Sequence, residues 1–171
     1  ILARLEARHA LDRTLVVVAS DHGPNESDGH LVSFFGSTAG LRGQKRDLYE
    51  GGVRVPLLVI GPGVRAGAAI EVPISLVDLL PSLCALASAP APDGLDGASF
   101  AALLDGSARE DGASPAPNAS AEAPRAIFLG AAEAHGGGEP ATRYALVEWP
   151  LVLVEREDGV TELYDLTEDP R

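Results

Sequence analysis

Asp21 and His22 stand side by side in Ser20-Asp21-His22-Gly23-Pro24, at the end of an apolar run. An adjacent carboxylate and imidazole can ligate one divalent metal. The oxygen donor suits calcium or magnesium, while the imidazole tilts the pair toward zinc or another transition metal. The same two residues also read as a turn-capping Asp followed by an ordinary polar loop His. Further on comes Lys45, the one lysine among thirteen basic residues. An ammonium is a compact point charge that suits a tetrahedral oxyanion. Beside a metal it would stabilise the charge that develops during attack on phosphorus or sulfur; a solvated surface lysine is the alternative. His30 follows Asp28-Gly29 and is placed to donate a proton to a leaving group or to touch substrate, or else is an exposed loop histidine. His9 and His135 receive no role. Cys84 lies in a Leu-rich stretch, where it reads as a small buried hydrophobe.

The elements that must position these residues follow from patterning. Leu2, Leu5 and Ala10-Leu11 recur at helical spacing and predict an amphipathic helix ending near Asp12. Thr14 to Ala19 is a continuous β-branched apolar run, which predicts a strand buried on both faces of a parallel α/β sheet. Asp21 and His22 then fall at the strand's C-terminal end, where open α/β sheets bind ligands. Residues 23 to 52 form a long irregular stretch of the kind that is often functional. Val53 to Ile60 predicts a second buried strand, pushed toward an edge or bulge by Pro56. Ser75-Leu76-Val77-Asp78 is a capping pattern that opens a helix with Leu76, Leu79, Leu80, Leu83 and Leu86 on one face, kinked or restarted at Pro81. A short helix is expected over Ser99 to Leu104. Residues 106 to 125 are rich in Ala, Ser, Pro, Gly and acid, and read as a low-complexity linker or insertion. Within it, Asn118-Ala119-Ser120 is a glycosylation sequon. Beyond it, short strands at 126–129, 144–149, 151–155 and 161–164, with Asp158-Gly159 as a hairpin turn, predict a small antiparallel sheet. The domain organisation expected is therefore 1–105, the 106–125 linker, and 126–171.

Bulk properties narrow the partners. The 171 residues carry a net charge of −12, which argues against a nucleic-acid surface or an anionic membrane. A small anion can still be held where cations are concentrated, and Arg42, Lys45, Arg46 and Arg54 fall within one short segment. No run approaches the ~20 apolar residues of a membrane span. The single cysteine excludes an internal disulfide. The first residue is Ile1 rather than Met, and the chain stops at Arg171 just after a strand-like segment, which predicts a portion of a longer protein.

Taken in order, the motifs resemble the sulfatases of the alkaline phosphatase superfamily. Ser20-Asp21-His22-Gly23-Pro24 and Gly29-His30 precede Leu41-Arg42-Gly43-Gln44-Lys45-Arg46-Asp47-Leu48-Tyr49-Glu50-Gly51-Gly52-Val53-Arg54-Val55-Pro56. Gly61-Pro62-Gly63 is similar to the family's W-P-G turn, with Gly61 for Trp. Ser75 through Leu83 is similar to S-x-x-D-L-x-P-T-L, with Ser82 for Thr. Asp93-Gly94 through Leu104 and Glu162-Leu163-Tyr164-Asp165-Leu166 with Asp169-Pro170 are similar to D-G-x-S-x-x-x-L-L and E-L-Y-D-L-x-x-D-P.

The resemblance implies part of an alkaline-phosphatase-like α/β sandwich and metal-assisted hydrolysis of a small-molecule or carbohydrate sulfate ester. It implies a bound Ca2+ and a formylglycine nucleophile. By position Asp21 and His22 match metal ligands, Lys45 matches the sulfate-contacting lysine, and His30 matches a substrate-side histidine of some members. It also suggests a secretory, lysosomal or periplasmic setting. Phosphomonoester or phosphonate hydrolysis, and a non-catalytic degenerate domain, are the competing readings. One departure stands out. Formylglycine arises from Cys or Ser in Cys/Ser-x-Pro-x-Arg, yet Cys84 is followed by Ala85-Leu86-Ala87, and Ser88-Ala89-Pro90-Ala91-Pro92 lacks the Arg. The family's first metal-binding Asp pair is absent as well. On its own the chain is expected not to turn over.

Overall fold

The computed structural model describes residues 1–27, 29–106, 125–133 and 141–169. In chain order the described elements are α1 (Leu2–Glu6), β1 (Val16–Ala19), α2 (Val32–Phe35), α3 (Glu50–Val53), β2 (Leu57–Ile60), α4 (Leu79–Leu86), α5 (Ala101–Leu104), β3 (Ile127–Glu133), β4 (Ala141–Glu148), β5 (Leu151–Glu155) and β6 (Thr161–Asp165). Short 3-10 turns occupy Leu11–Arg13 and Leu76–Asp78. The chain divides into two compact units: Ile1–Ala19 with Leu57–Arg125, and Ser20–Pro56 with Ala126–Arg171.

In the first unit β1 pairs antiparallel with β2, Val16 opposite Ile60 and Ala19 opposite Leu57. This corrects the expected parallel strand buried on both faces. A β-branched apolar run reports that a strand is favourable, but it carries no information on the direction of its partner. One face of the pair packs Leu57 and Val59 against Phe100, Leu103 and Leu104. The other leaves Val18, Leu58 and Ile60 about half exposed. The expected strand over 53–60 begins only at Leu57, because Glu50–Val53 forms a helical turn and Pro56 removes an N–H from the ladder. The N-terminal helix ends at Glu6 rather than near Asp12.

A buried polar knot organises the rest of this unit. Ser75 and Asp78 form the capping box, and Asp78 is only 5 % exposed. Its carboxylate accepts the Ser75 N–H at 2.9 Å, the Ala98 N–H at 2.8 Å and the Arg125 guanidinium at 2.5 Å. The Ser82 hydroxyl donates to the Asp78 carbonyl at 2.6 Å and accepts the Phe100 N–H at 2.9 Å. Pro81 causes no break, since it sits in the first turn of α4, where its missing N–H costs nothing.

The second unit contains the four-stranded antiparallel meander β3-β4-β5-β6. Its register sets Ala145 opposite Val154 and Val152 opposite Tyr164. Alternation along β5 buries Val152 and Val154, which join Leu48, Ala145 and Leu166 in the core. The expected strands at 126–129, 144–149, 151–155 and 161–164 are thus present, the first two longer or earlier than expected. The turn closing β5 onto β6 uses Gly159 at φ +76, and the Val160 N–H donates to Asp158 Oδ1 at 3.1 Å. Asn118, His135 and nearly all of the 106–125 linker lie outside the described residues.

Candidate functional site

All four residues singled out in the sequence, Asp21, His22, His30 and Lys45, belong to the second unit. The Ser20 hydroxyl donates to the His22 carbonyl at 2.8 Å, which tightens the Asp21–His22 turn. His22 Nδ1 lies 2.7 Å from the Gly23 carbonyl. A carbonyl only accepts, so Nδ1 carries the proton and the ring is oriented through it. His22 Nε2 then faces Asp21 Oδ2 at 3.2 Å, with the Asp21 side chain 83 % exposed.

That spacing fits a shared cation: at bond lengths of about 2.3–2.6 Å, neighbouring donors on one calcium stand roughly 3–4 Å apart. The Asp21 oxygen suits calcium or magnesium, and the oriented imidazole suits a transition metal. Among the described residues no group of three or more His, Cys, Asp or Glu side chains is gathered as a metal site. The described residues thus offer two candidate donors, Asp21 Oδ2 and His22 Nε2.

Lys45 is tied to this turn through the backbone. Its N–H donates to the Pro24 carbonyl at 2.8 Å, and the Gly23 N–H donates to the Gly52 carbonyl at 2.8 Å. The approach depends on glycine: a Cβ at Gly23 would stand 2.0 Å from the Gly51 oxygen, and one at Gly51 would stand 2.2 Å from the Gly43 oxygen. Gly23 thus lets the two segments touch, and Gly51 and Gly52 let the loop fold back on residues 42–47. Arg46 adopts φ +81, a rare conformation for a bulky residue. It is held by the Asp47 N–H to Gln44 carbonyl turn at 2.9 Å and by Arg143, whose Nη2 donates to the Arg46 carbonyl at 3.0 Å.

His30 follows a different course. Its ring stacks on Phe35 at 4.9 Å between centroids, and its Nε2 lies 3.4 Å from Ser37 Oγ. Phe34 and Phe35 beside it are 78 % and 63 % exposed.

Sequence reasoning did not single out the cluster around Glu162. Tyr49 donates to Glu162 Oε2 at 2.7 Å, Tyr164 donates to the same oxygen, and Arg42 Nη1 reaches it at 3.3 Å. Arg156 Nη1 donates to Oε1 at 3.1 Å. The Arg42 guanidinium also lies 3.7 Å from the Tyr49 ring centre and donates to the Tyr164 hydroxyl. The Tyr164 and Tyr49 hydroxyls, then Arg156 and Arg42, hold the Glu162 carboxyl down to about 2. Burial, and next the Glu162 acceptor, push both phenols above their usual range. The signal available in the sequence was the i, i+2 spacing of Glu162 and Tyr164 on a strand, which sets both on one face.

Comparison with known proteins adds the family. The family model described as Sulfatase matches residues 1–89. Arylsulfatase K of Xenopus laevis is 31% identical over 173 residues, covering 99% of this chain and 29% of that protein. A structure solved in complex with its substrate, D-glucosamine-2-N,6-O-disulfate, superposes with a TM-score of 0.68 at 23% identity, covering 99% of this chain and 31% of that one. The phosphonate monoester hydrolase of Silicibacter pomeroyi gives a TM-score of 0.67 at 19% identity, over 98% of this chain and 31% of that one. The chain thus shares the α/β fold of these alkaline-phosphatase-like hydrolases, and it spans less than a third of the curated relatives' length.

Proposed function

The chain belongs to the sulfatase family, and we propose that it supplies one side of a site that hydrolyses a sulfate ester. Asp21 and His22 hold a divalent cation, calcium by family, and Lys45 contacts the sulfate group. The observation that carries this reading is the Lys45 N–H to Pro24 carbonyl bond at 2.8 Å, which ties the lysine's loop to the Asp21–His22 turn.

A bound cation would polarise the sulfate and lower the pKa of the attacking oxygen. The protein's own residues do the rest. His22 keeps Nδ1 occupied on the Gly23 carbonyl, so with a cation bound Nε2 would offer it a lone pair beside Asp21 Oδ2. Lys45 has no hydrogen-bond or ion-pair partner for its ammonium among the described residues, and so remains available to an oxyanion. It neutralises sulfate oxygens as the S–O bond to the alcohol breaks. His30, on the aromatic segment 30–35, serves the alcohol side, where a proton must reach the departing oxygen. The balanced reaction takes water and a sulfate ester to an alcohol, sulfate and a proton. The family's nucleophile is a formylglycine, and no Cys/Ser-x-Pro-x-Arg from which it arises occurs within these 171 residues. The alcohol is aryl or carbohydrate; the sulfated glucosamine bound by one structural neighbour favours the latter.

In the full-length enzyme, Lys45→Ala is expected to lower kcat/KM for an aryl sulfate by roughly 10²–10³-fold with the fold retained by circular dichroism. Undiminished turnover would remove Lys45 from the site. Likeness to a phosphonate monoester hydrolase supports one alternative. Sulfate and phosphate esters of one alcohol, compared on the same enzyme, decide between them: faster phosphate hydrolysis transfers the assignment.

A further inference from the structure

Resting on the reading of Lys45 as the sulfate contact, we propose that Glu162 is a positioning residue: it grips Arg42 and Tyr49, the two ends of the loop that carries Lys45, and so fixes where the ammonium stands. One carboxylate oxygen, Glu162 Oε2, takes both ends. Tyr49 donates to it at 2.7 Å and Arg42 approaches it at 3.3 Å. The same two residues also stack, with the guanidinium 3.7 Å from the ring centre. Tyr164, on the same face of β6 as Glu162, braces the grip through its hydroxyl. Arg156 occupies the other oxygen, so the carboxylate has no freedom to turn away.

Between the gripped ends the loop is stiff. The Gln44 N–H donates to Asp47 Oδ2 at 3.0 Å, and the Arg42 carbonyl accepts the Gly51 N–H at 2.7 Å. A Cβ at Gly43 would stand 2.9 Å from Asp47 Cβ. Arg143 on β4 braces the far side, with Nη1 3.7 Å from Asp47 Oδ1. A displacement at Arg42 or Tyr49 is therefore passed to Lys45 rather than absorbed, as in other close-packed networks. Glu162 itself is not part of the apolar core, which consists of Leu48, Ala145, Val152, Val154 and Leu166. Its side chain is 20% exposed at the sheet surface, so its bonding is directed at the loop rather than at filling the interior.

The test is a double-mutant cycle on the full-length enzyme, read by calorimetric titration with inorganic sulfate. Glu162→Gln is expected to weaken sulfate binding about tenfold, the scale of a sub-ångström misplacement. In a Lys45→Ala background the same change should alter binding less than about twofold, because the group being positioned is gone. If Glu162 were merely structural, its replacement would change sulfate affinity equally with and without Lys45, whatever it did to the melting temperature. Equal change, or an unchanged affinity in folded Glu162→Gln enzyme, overturns the proposal while leaving Lys45 in place. If Lys45→Ala alone leaves sulfate affinity intact, the Lys45 reading falls and the proposal with it. Should Glu162→Gln fail to fold, Tyr49→Phe, which removes one hydroxyl and keeps the ring under Arg42, carries the same cycle by the same criteria.

Discussion

Lys45 and Glu162 illustrate two ways a charged residue serves a protein. Lys45 is held by its backbone and leaves its charge unpaired among the described residues, while Glu162 spends its charge on four donors. The second has a pH signature. The carboxyl of Glu162 sits at about 2 in the folded chain, below the ordinary 4.3 or so of an unfolded Glu. A lowered pKa stabilises the fold above the unfolded value, and that contribution disappears as pH falls through the folded one. Wild type should therefore unfold at higher urea than Glu162→Gln at pH 6, and the gap should close progressively between about pH 4.5 and 2. A gap that stays constant across that range would mean the tyrosine and arginine contacts do not favour the ionised form.

At the scale of elements, motifs that look alike in the sequence divide into two kinds. The 20–24 and 41–56 segments meet backbone to backbone near the candidate site. The Ser75–Leu83 and Asp93–Leu104 segments meet at Asp78 and Ser82, where every polar atom named is used to hold a helix start and a loop together. Their purpose is architectural. Ser82 is 1% exposed, so Ser82→Ala would leave the Phe100 N–H buried without its acceptor, at a cost of about 1–3 kcal/mol. Asp78→Ala strips two backbone N–H groups and Arg125 of one acceptor and should cost more, roughly 3 kcal/mol or above. Urea unfolding of the chain measures both; losses under about 0.5 kcal/mol would show that the knot is not what fixes α4. The antiparallel sheet needs no such device, because alternation along β5 and the Asp158-Gly159 turn already specify its register.

Across the whole molecule the charge balance is −12, yet the candidate anion contact lies in its most cationic short segment. On the proposed assignment, attraction for sulfate is local, set by Lys45 and its neighbours rather than by the net field. Among the described residues no helix is long and apolar enough to cross a membrane. The proposed metal contact is likewise small, the pair Asp21 and His22. Two donors are few for calcium, which takes about six to eight oxygen ligands and binds more tightly as ligand charge and site rigidity rise. Calorimetric titration of the 171-residue chain with calcium is accordingly expected to show no binding tighter than millimolar. Micromolar binding would mean that the chain completes the shell by itself, and would recast the Asp21–His22 pair.

The family, the helix start at Ser75 and the strands of the C-terminal sheet were legible in the sequence, which also nominated Asp21, His22, His30 and Lys45 as candidates. Each of these depends on local pattern: a fixed spacing, a cap, an alternation or a turn. Only the folded chain shows that β1 runs antiparallel to β2, that Gly23 lets its turn approach Gly51 while Gly51 and Gly52 let the loop fold back on residues 42–47, and that Glu162 holds Arg42 and Tyr49. The physical reason is range. A hydrogen bond between residues 113 or 120 positions apart leaves no periodicity in the chain, and it becomes visible only when the folded backbone brings its partners within 3.5 Å.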